Sequence, residues 1–210
     1  MGSNNVKLYN EFNTSLLLNY ELSEFYEIHN KLIPKRNKKM NTYEIRISNP
    51  LFNFTTYKKS TLNKNKEEKH SELQKLISNN AEKELVKPIL DKALNILKEN
   101  NIYNIDPTKY CVEFQQRNCG FEKKKYKWSA WHYDDYGSVN YKVHTIIFYL
   151  RKDKTVRGGN LEYKLNNKLF THYVKLGDIV QFSGDIYHKP QPTSGFGCRD
   201  IIVVFIKRTN

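Results

Sequence analysis

Two histidines, an aspartate and an arginine are the residues of this chain whose types and spacing best suit metal chemistry. His132 and Asp134 stand two positions apart, and His188 and Arg199 follow later. Because residues i and i+2 of a strand project to the same side, His132 and Asp134 can bind one ion together. Two imidazoles and one carboxylate can occupy one face of an octahedral iron(II) ion, which leaves three positions open. Arg199 suits the far carboxylate of a dicarboxylic acid, because a guanidinium can donate two parallel hydrogen bonds to it.

Two other residues of the sequence are alternative candidates for the metal ligands. His172 lies in an alternating segment and is an alternative to His188 as the distal ligand. We favour His188 because it lies just past the end of a predicted strand and Arg199 follows it. Asp135 could replace Asp134, but its spacing from His132 places it on the opposite face of a strand. The His-x-Asp tripeptide alone is equally consistent with surface residues, so the wider sequence must decide.

Five stretches of the C-terminal half carry a family resemblance. They are WHYDD (131–135), HTIIFYLRKD (144–153), RGGNLEY (157–163), LGDIVQF (176–182) and YHKPQPTSGFGCRDIIVVFIKR (187–208). In this order they resemble the iron(II)/2-oxoglutarate-dependent dioxygenases, most closely the prolyl-4-hydroxylase-like branch. The segment before His132, GFEKKKYKWSAW, departs from the family pattern, and no residue role is carried over to it.

The resemblance implies a catalytic iron site and a binding site for 2-oxoglutarate. His132, Asp134 and His188 would bind iron(II), and Arg199 on the last strand would bind the cosubstrate. Dioxygen would be the second cosubstrate, with ascorbate as an optional reductant. The implied reaction is oxidative decarboxylation of 2-oxoglutarate to succinate, coupled to hydroxylation of a substrate C–H bond.

One strand in the middle of the matching segment supplies two further candidates. Thr145, Ile147 and Tyr149 share a strand face under two-residue alternation. The resemblance implies that the Tyr149 hydroxyl contacts 2-oxoglutarate, although a tyrosine that simply packs in the core is an equal alternative. Thr145 is a further candidate for the same pocket.

The substrate is less well defined by the sequence. The prolyl-hydroxylase-like branch implies a protein or peptide substrate, with peptidyl proline as the leading choice. The net charge of +13 also allows a nucleic-acid substrate, or a non-catalytic metal-binding module that docks partners through a basic surface. Phe205 stands where demethylases of the alkylation-repair branch carry a second arginine, which argues against that branch. Abundant lysine can equally follow from an AT-rich coding sequence, and the Lys123–Lys127 run can be a solvated loop.

Composition limits the class of protein. The 210 residues, 39% of them hydrophobic, can form one globular domain with a sizeable core. We see no run of about 20 apolar residues for a membrane span and no signal-peptide core at the start. The three cysteines are odd in number and lack CxxC spacing, so we expect no disulfide framework and an intracellular, cytoplasmic location.

Hydrophobic periodicity changes from helical to two-residue alternation from Tyr110 onward. Broad apolar stripes over residues 16–32 and 79–101 predict helices, with short strands at 43–48 and 52–58 and a polar loop at 60–72. Candidate strands follow at residues 110–118, 127–133, 142–150, 159–165, 168–174, 178–183 and 199–208, with Asn166 and Asn167 closing a hairpin.

These elements predict an α+β fold. Strands of this number and length fit a double-stranded β-helix (jelly-roll) core, which the resemblance also implies. We expect the N-terminal helices to pack on the outside of its larger sheet. Residues 1–210 would form a single domain, with mainly helical support over 1–105 and the catalytic core over 106–210.

Overall fold

Three β-sheets and two helices make up the part of the chain that the computed structural model describes. The described residues are 12–33, 42–48, 71–76, 80–119, 130–135 and 142–209. The helices are α1 (Asn19–Leu32) and α2 (Asn80–Glu99). The strands are β1 (Phe12–Leu16), β2 (Thr42–Ser48), β3 (Ser71–Leu76), β4 (Ile105–Cys119), β5 (Val143–Lys152), β6 (Arg157–Gly158), β7 (Leu161–Leu165), β8 (Lys168–His172), β9 (Asp178–Ser183), β10 (Tyr187–Pro190), β11 (Thr193–Ser194) and β12 (Gly197–Arg208).

The strands form the predicted jelly roll. The large sheet has the order β1-β9-β5-β12-β4-β2-β3, and a smaller sheet has the order β10-β7-β8. A two-stranded ribbon of β11 and β6 accompanies them. All pairings are antiparallel except that of β2 with β3. The predicted fold class is therefore confirmed.

The large sheet is covered on both faces, which explains its nearly continuous apolar strands. On β12, Ile202 and Val204 belong to one core together with side chains of both helices. The alternate residues Ile201 and Val203 belong to a second core between the sheets. Phe25 of α1 meets β5 in the first core through an edge-to-face contact with Phe148, with ring centroids 5.2 Å apart.

A two-residue turn between β7 and β8 confirms the predicted hairpin. Asn166 and Asn167 both have positive φ, at 49° and 61°. Leu165 pairs with Lys168 directly across the turn. Two successive positive φ values define the hairpin turn that best matches the twist of the flanking strands, and asparagine tolerates this conformation well.

The strand prediction was wrong for residues 130–133, the described part of the segment at the metal motif. Residues 127–133 were predicted to be a strand, but residues 130–133 form none, and His132 makes an isolated bridge to His188. The amides of Asp134 and Asp135 both donate to the carbonyl of Gly184 at 2.9 Å, so the chain turns away and does not extend the ladder.

The N-terminal half contains more strand than predicted. The first helix begins at Asn19, because Phe12–Leu16 forms the edge strand β1, which pairs with β9. The predicted loop also ends early, since Ser71 and Glu72 already belong to β3. The predicted strand at 52–58 and the Lys123–Lys127 run lie outside the described residues. Among those described, no helix is both long enough and apolar enough to span a membrane.

Candidate metal centre

Backbone pairing brings the first and last predicted ligands side by side. The amide of His132 donates to the carbonyl of His188 at 2.9 Å, and the amide of His188 donates to the carbonyl of His132 at 3.0 Å. Directly opposed residues of an antiparallel pair place their side chains on the same face. The two imidazole rings accordingly lie with their centroids 4.3 Å apart.

The aspartate completes a three-residue donor set. Asp134 Oδ1 lies 3.6 Å from His132 Nε2 and 3.7 Å from His188 Nε2. The ligand atoms of the three residues all lie within 4.8 Å of one another. Atoms that each bind one ion at about 2.1 Å are separated by about 3 to 4 Å, so this spacing suits a shared metal ion.

Both histidines are held in the tautomer that metal binding requires. His132 Nδ1 donates to the carbonyl of Ala130 and His188 Nδ1 to that of Ile186, each at 2.9 Å. A proton fixed on Nδ1 leaves the lone pair of Nε2 free for an ion. Burial lowers the pKa of His188 against the opposing effect of Asp134, which keeps this ring neutral and ready to bind.

Thr145 holds the second oxygen of the carboxylate. Its hydroxyl donates to Asp134 Oδ2 at 2.6 Å, and both side chains are buried. Oδ2 is thereby occupied, and Oδ1 is the oxygen that faces the two histidines. The role predicted for Thr145, a contact with the cosubstrate, stays a prediction. The contact that the structure gives it is with a metal-ligand candidate.

This contact predicts a defect in metal affinity. We expect Thr145→Val to weaken binding of iron(II) or cobalt(II) about 10- to 100-fold, because the carboxylate loses the bond that orients it. Thr145→Ser keeps the hydroxyl and should bind within about threefold of the parent. Metal titration followed by cobalt absorption measures the effect without turnover. Equal affinities for Thr145→Val and the parent protein would rule out this positioning role.

The competing residues have other partners. Asp135 Oδ1 accepts from the amide of Val143 at 2.8 Å, and its other oxygen is paired with Arg208. His172 Nε2 lies 3.0 Å from Asp178 Oδ2 and is not part of the donor set. The structure therefore brings together the three residues favoured from the sequence and separates both alternatives from them.

Arg199 is buried with unused hydrogen-bonding capacity. Its side chain lies on the inner face of β12, and the residue is 2% exposed. Nη1 donates to the carbonyl of Gly159 at 2.8 Å, while Nε has no hydrogen-bond partner. Burial, followed by the charge of Arg117, lowers the pKa of Arg199 to about 10. A buried guanidinium with an N–H group that has no hydrogen-bond partner suits an anionic ligand.

Gly159 permits the close approach of that guanidinium. Its φ is +71°, and a Cβ added there would lie 3.0 Å from Arg199 Nη1. The second glycine of the Gly-Gly pair therefore has a specific role, which spacing alone did not reveal. A side chain at 159 would push the guanidinium out of its present position.

Tyr149 and Thr145 lie on the same face of β5, between the candidate metal ligands and Arg199. Thr145 reaches Asp134, Ile147 packs in the inner core, and Tyr149 is cross-strand from Ile201. Burial raises the pKa of Tyr149 to about 12, against the opposing charge of nearby Arg199. Its hydroxyl is thus protonated near Arg199, and its predicted contact with the cosubstrate stays a prediction.

Comparisons with known proteins agree on the fold. No family model and no curated protein sequence matches this chain. A 2OG-Fe(II) oxygenase-family oxidoreductase from Burkholderia pseudomallei superposes with a TM-score of 0.60 and 12% identity, covering 94% of this chain and 85% of that one. A prolyl-4-hydroxylase from Pseudomonas putida gives 0.57 and 11%, with 95% and 94% covered.

A third solved structure is a prolyl hydroxylase from Trichoplax adhaerens in complex with a peptide fragment of the hypoxia inducible factor oxygen degradation domain. It superposes with a TM-score of 0.54 and 12% identity, covering 95% of this chain and 84% of that one. Against a prolyl 4-hydroxylase from Phytophthora capsici the chain spans 42% of that protein's length, at a TM-score of 0.44. The first three matches show that this chain has the fold of 2-oxoglutarate oxygenases and prolyl hydroxylases.

Proposed function

We propose that this protein is an iron(II)- and 2-oxoglutarate-dependent dioxygenase that hydroxylates a C–H bond, with peptidyl proline as the leading substrate. The observation that carries the proposal is the convergence of His132 Nε2, His188 Nε2 and Asp134 Oδ1 inside a jelly roll of this type. Residues 1–210 would act as one such domain, because both helices share a core with the large sheet.

The donor set fits iron(II). Two imidazole nitrogens and one carboxylate oxygen are the three-ligand face that non-haem iron oxygenases use. Each ring is oriented by a backbone carbonyl and the carboxylate by Thr145, so the donors are prearranged. The second requirement, a cation for the far carboxylate of 2-oxoglutarate, is met by Arg199 with its free Nε.

The residues around these groups can orient the cosubstrate and keep water away. Arg199 and Tyr149 would bind its far carboxylate, and Thr145 would keep Asp134 directed at the metal. The wall between them is aliphatic, since Ile147, Val180 and Val203 belong to the inner core. With iron, 2-oxoglutarate and dioxygen bound, such a site couples decarboxylation of the cosubstrate to hydroxylation of the substrate.

A peptide is the substrate class that the comparisons favour. Two of the superposed proteins are described as prolyl hydroxylases, and one of them was solved with a peptide bound. The side chain of His132 is 42% exposed, against 4% for His188 and 9% for Asp134. The centre therefore opens to solvent on the His132 side, where a segment of a macromolecule can reach it.

A coupled assay tests the proposal. Purified protein with iron(II), 2-oxoglutarate and oxygen is incubated with proline-containing peptides and, separately, with oligonucleotides. We expect succinate release that rises with peptide and a peptide product heavier by one oxygen, located by fragmentation to proline. Oxygen gain on oligonucleotides alone would replace peptide with nucleic acid as the substrate. No succinate under any condition, from protein that binds metal, would contradict the enzymatic proposal.

A further inference from the structure

Three aromatic rings and two lysines form a surface patch beside the metal centre. The aromatic–lysine patch consists of Trp131, Tyr133, Tyr187, Lys164 and Lys189. The Trp131 and Tyr187 rings stack with centroids 5.2 Å apart, and the Tyr133 ring lies 4.7 Å from that of Tyr187. Lys164 Nζ lies 5.0 Å from the centroid of the Trp131 ring, and Lys189 Nζ lies 5.3 Å from it.

Strand alternation explains why the patch and the metal site are neighbours. His132 and His188 face each other across the bridge on the side of the metal centre, where His188 is buried and the His132 side chain is 42% exposed. The residues on either side of them in the chain point the opposite way, to the outer face of the small sheet. Tyr187 pairs there with Lys164 of β7. Trp131 and Tyr133 thus flank His132, the ligand through which the centre opens to solvent.

The two lysines of the patch differ in their partners. Lys189 Nζ is paired with Glu162 at 2.8 Å. Lys164 is exposed and, in the described part of the chain, has no carboxylate at ion-pair distance; its ammonium lies over the Trp131 and Tyr187 rings. A cation held over aromatic rings at an exposed site is weakly bound and keeps its charge available. Lys164 is therefore the free positive charge of the patch.

We propose that the aromatic–lysine patch docks an acidic segment of a peptide whose target residue enters the metal centre. An Asp or Glu side chain of the peptide pairs with Lys164, and an apolar side chain packs on Tyr133, which is 50% exposed. The proposal rests on the proposed function and names the kind of peptide that the site prefers. The charge of Lys164 is opposite to that of an acidic peptide. Its ammonium lies over Trp131, the residue before His132, and this sets where the peptide carboxylate lies relative to the target residue.

The ring geometry favours a peptide over single-stranded nucleic acid. Base recognition uses free aromatic faces on which successive bases stack. Here the rings are already packed on one another. The ammonium groups of Lys164 and Lys189 also lie within 5.3 Å of the centroid of the Trp131 ring. A carboxylate can reach Lys164 from solvent without displacing these contacts.

Two matched peptides test the proposal. They share one proline and differ only in the flanking residues, which are Asp and Glu in the first and Asn and Gln in the second. We expect the acidic peptide to bind the metal-loaded protein about three- to fivefold more tightly, the size of one exposed ion pair. Lys164→Gln should abolish this preference and Lys164→Glu should reverse it. Binding is read by fluorescence polarisation of labelled peptide, at low salt and again at high salt.

Several outcomes separate this proposal from the proposed function. Lys98→Gln on α2, an exposed lysine on the other face of the large sheet, should keep the full preference. Metal affinity and peptide-independent consumption of 2-oxoglutarate should not change in the Lys164 variants. Equal binding of the two peptides, or an oligonucleotide that displaces the acidic peptide in a Lys164-dependent way, would overturn the docking proposal. Preferential binding without hydroxylation would leave the docking intact and count against the enzymatic proposal.

Discussion

We expect His188→Ala to abolish metal-dependent turnover and to weaken metal binding at least about 100-fold. His188 supplies one of three donor atoms, and its side chain is 4% exposed, so water cannot easily replace it in the same position. His132 and Asp134 remain, but two adjacent ligands hold a divalent ion far less tightly than a preorganised set of three. We expect succinate release at the background level, with metal binding measured by calorimetry or by cobalt absorption.

The prediction needs a control for folding, because the His188 ring packs edge-on against Phe182 at 4.7 Å. His172→Ala is the matched variant: it removes the same kind of side chain, in this case one paired with Asp178 outside the donor set. His172→Ala should keep metal affinity and turnover, although it can lower the melting temperature. If His188→Ala folds and still supports metal-dependent turnover, the donor set has been misassigned.

The sequence predicted which three candidate metal ligands lie together better than it predicted the elements that carry them. His132, Asp134 and His188 were chosen from their residue types and spacing together with the family resemblance, and the hairpin at Asn166 and Asn167 was predicted from turn chemistry. The strand prediction was wrong for the described residues 130–133, because the amides of Asp134 and Asp135 donate to the carbonyl of Gly184, which is far away in sequence.

Other features depend on partners that periodicity does not reveal. Phe12–Leu16 forms β1 because it pairs with β9 at the edge of the large sheet. The sequence FNTSL alone does not predict this pairing. Thr145 was assigned to the right strand face, but its bond to Asp134 depends on how the metal loop crosses β5. The aromatic–lysine patch likewise forms only when the His132 and His188 segments are side by side.

Charge on β12 is divided between the two faces of the large sheet. Asp200 follows Arg199 in sequence but points to the helical side, where it lies 3.9 Å from Arg151 and is fully buried. Burial raises the pKa of Asp200, with His29 and Gln116 opposing this effect. Arg199 on the inner face forms no ion pair with any carboxylate of the described residues. Its missing countercharge is what a dicarboxylate ligand would supply.

Arg199→Met is therefore expected to remove cosubstrate binding without unfolding the protein. Methionine has a similar length and no charge, and an apolar side chain avoids the cost of burying a charge that has no ionic partner. We expect an unchanged or higher melting temperature for the ligand-free variant. The 2-oxoglutarate concentration for half-maximal rate should rise at least about 30-fold, because losing one partner of a buried charge pair costs about 2 to 5 kcal/mol.

Thermal stability with and without 2-oxoglutarate separates this role from a structural one. A ligand that binds the folded state raises the melting temperature of the parent protein, and this rise should disappear in Arg199→Met. Arg157→Met, at an exposed arginine of β6, is the matched control and should respond to 2-oxoglutarate as the parent does. A normal response in Arg199→Met would mean that another cation binds the cosubstrate, and cross-strand Arg117 and Lys152 would be the next candidates. Loss of the response together with loss of the fold would instead assign Arg199 a structural role through its bond to Gly159.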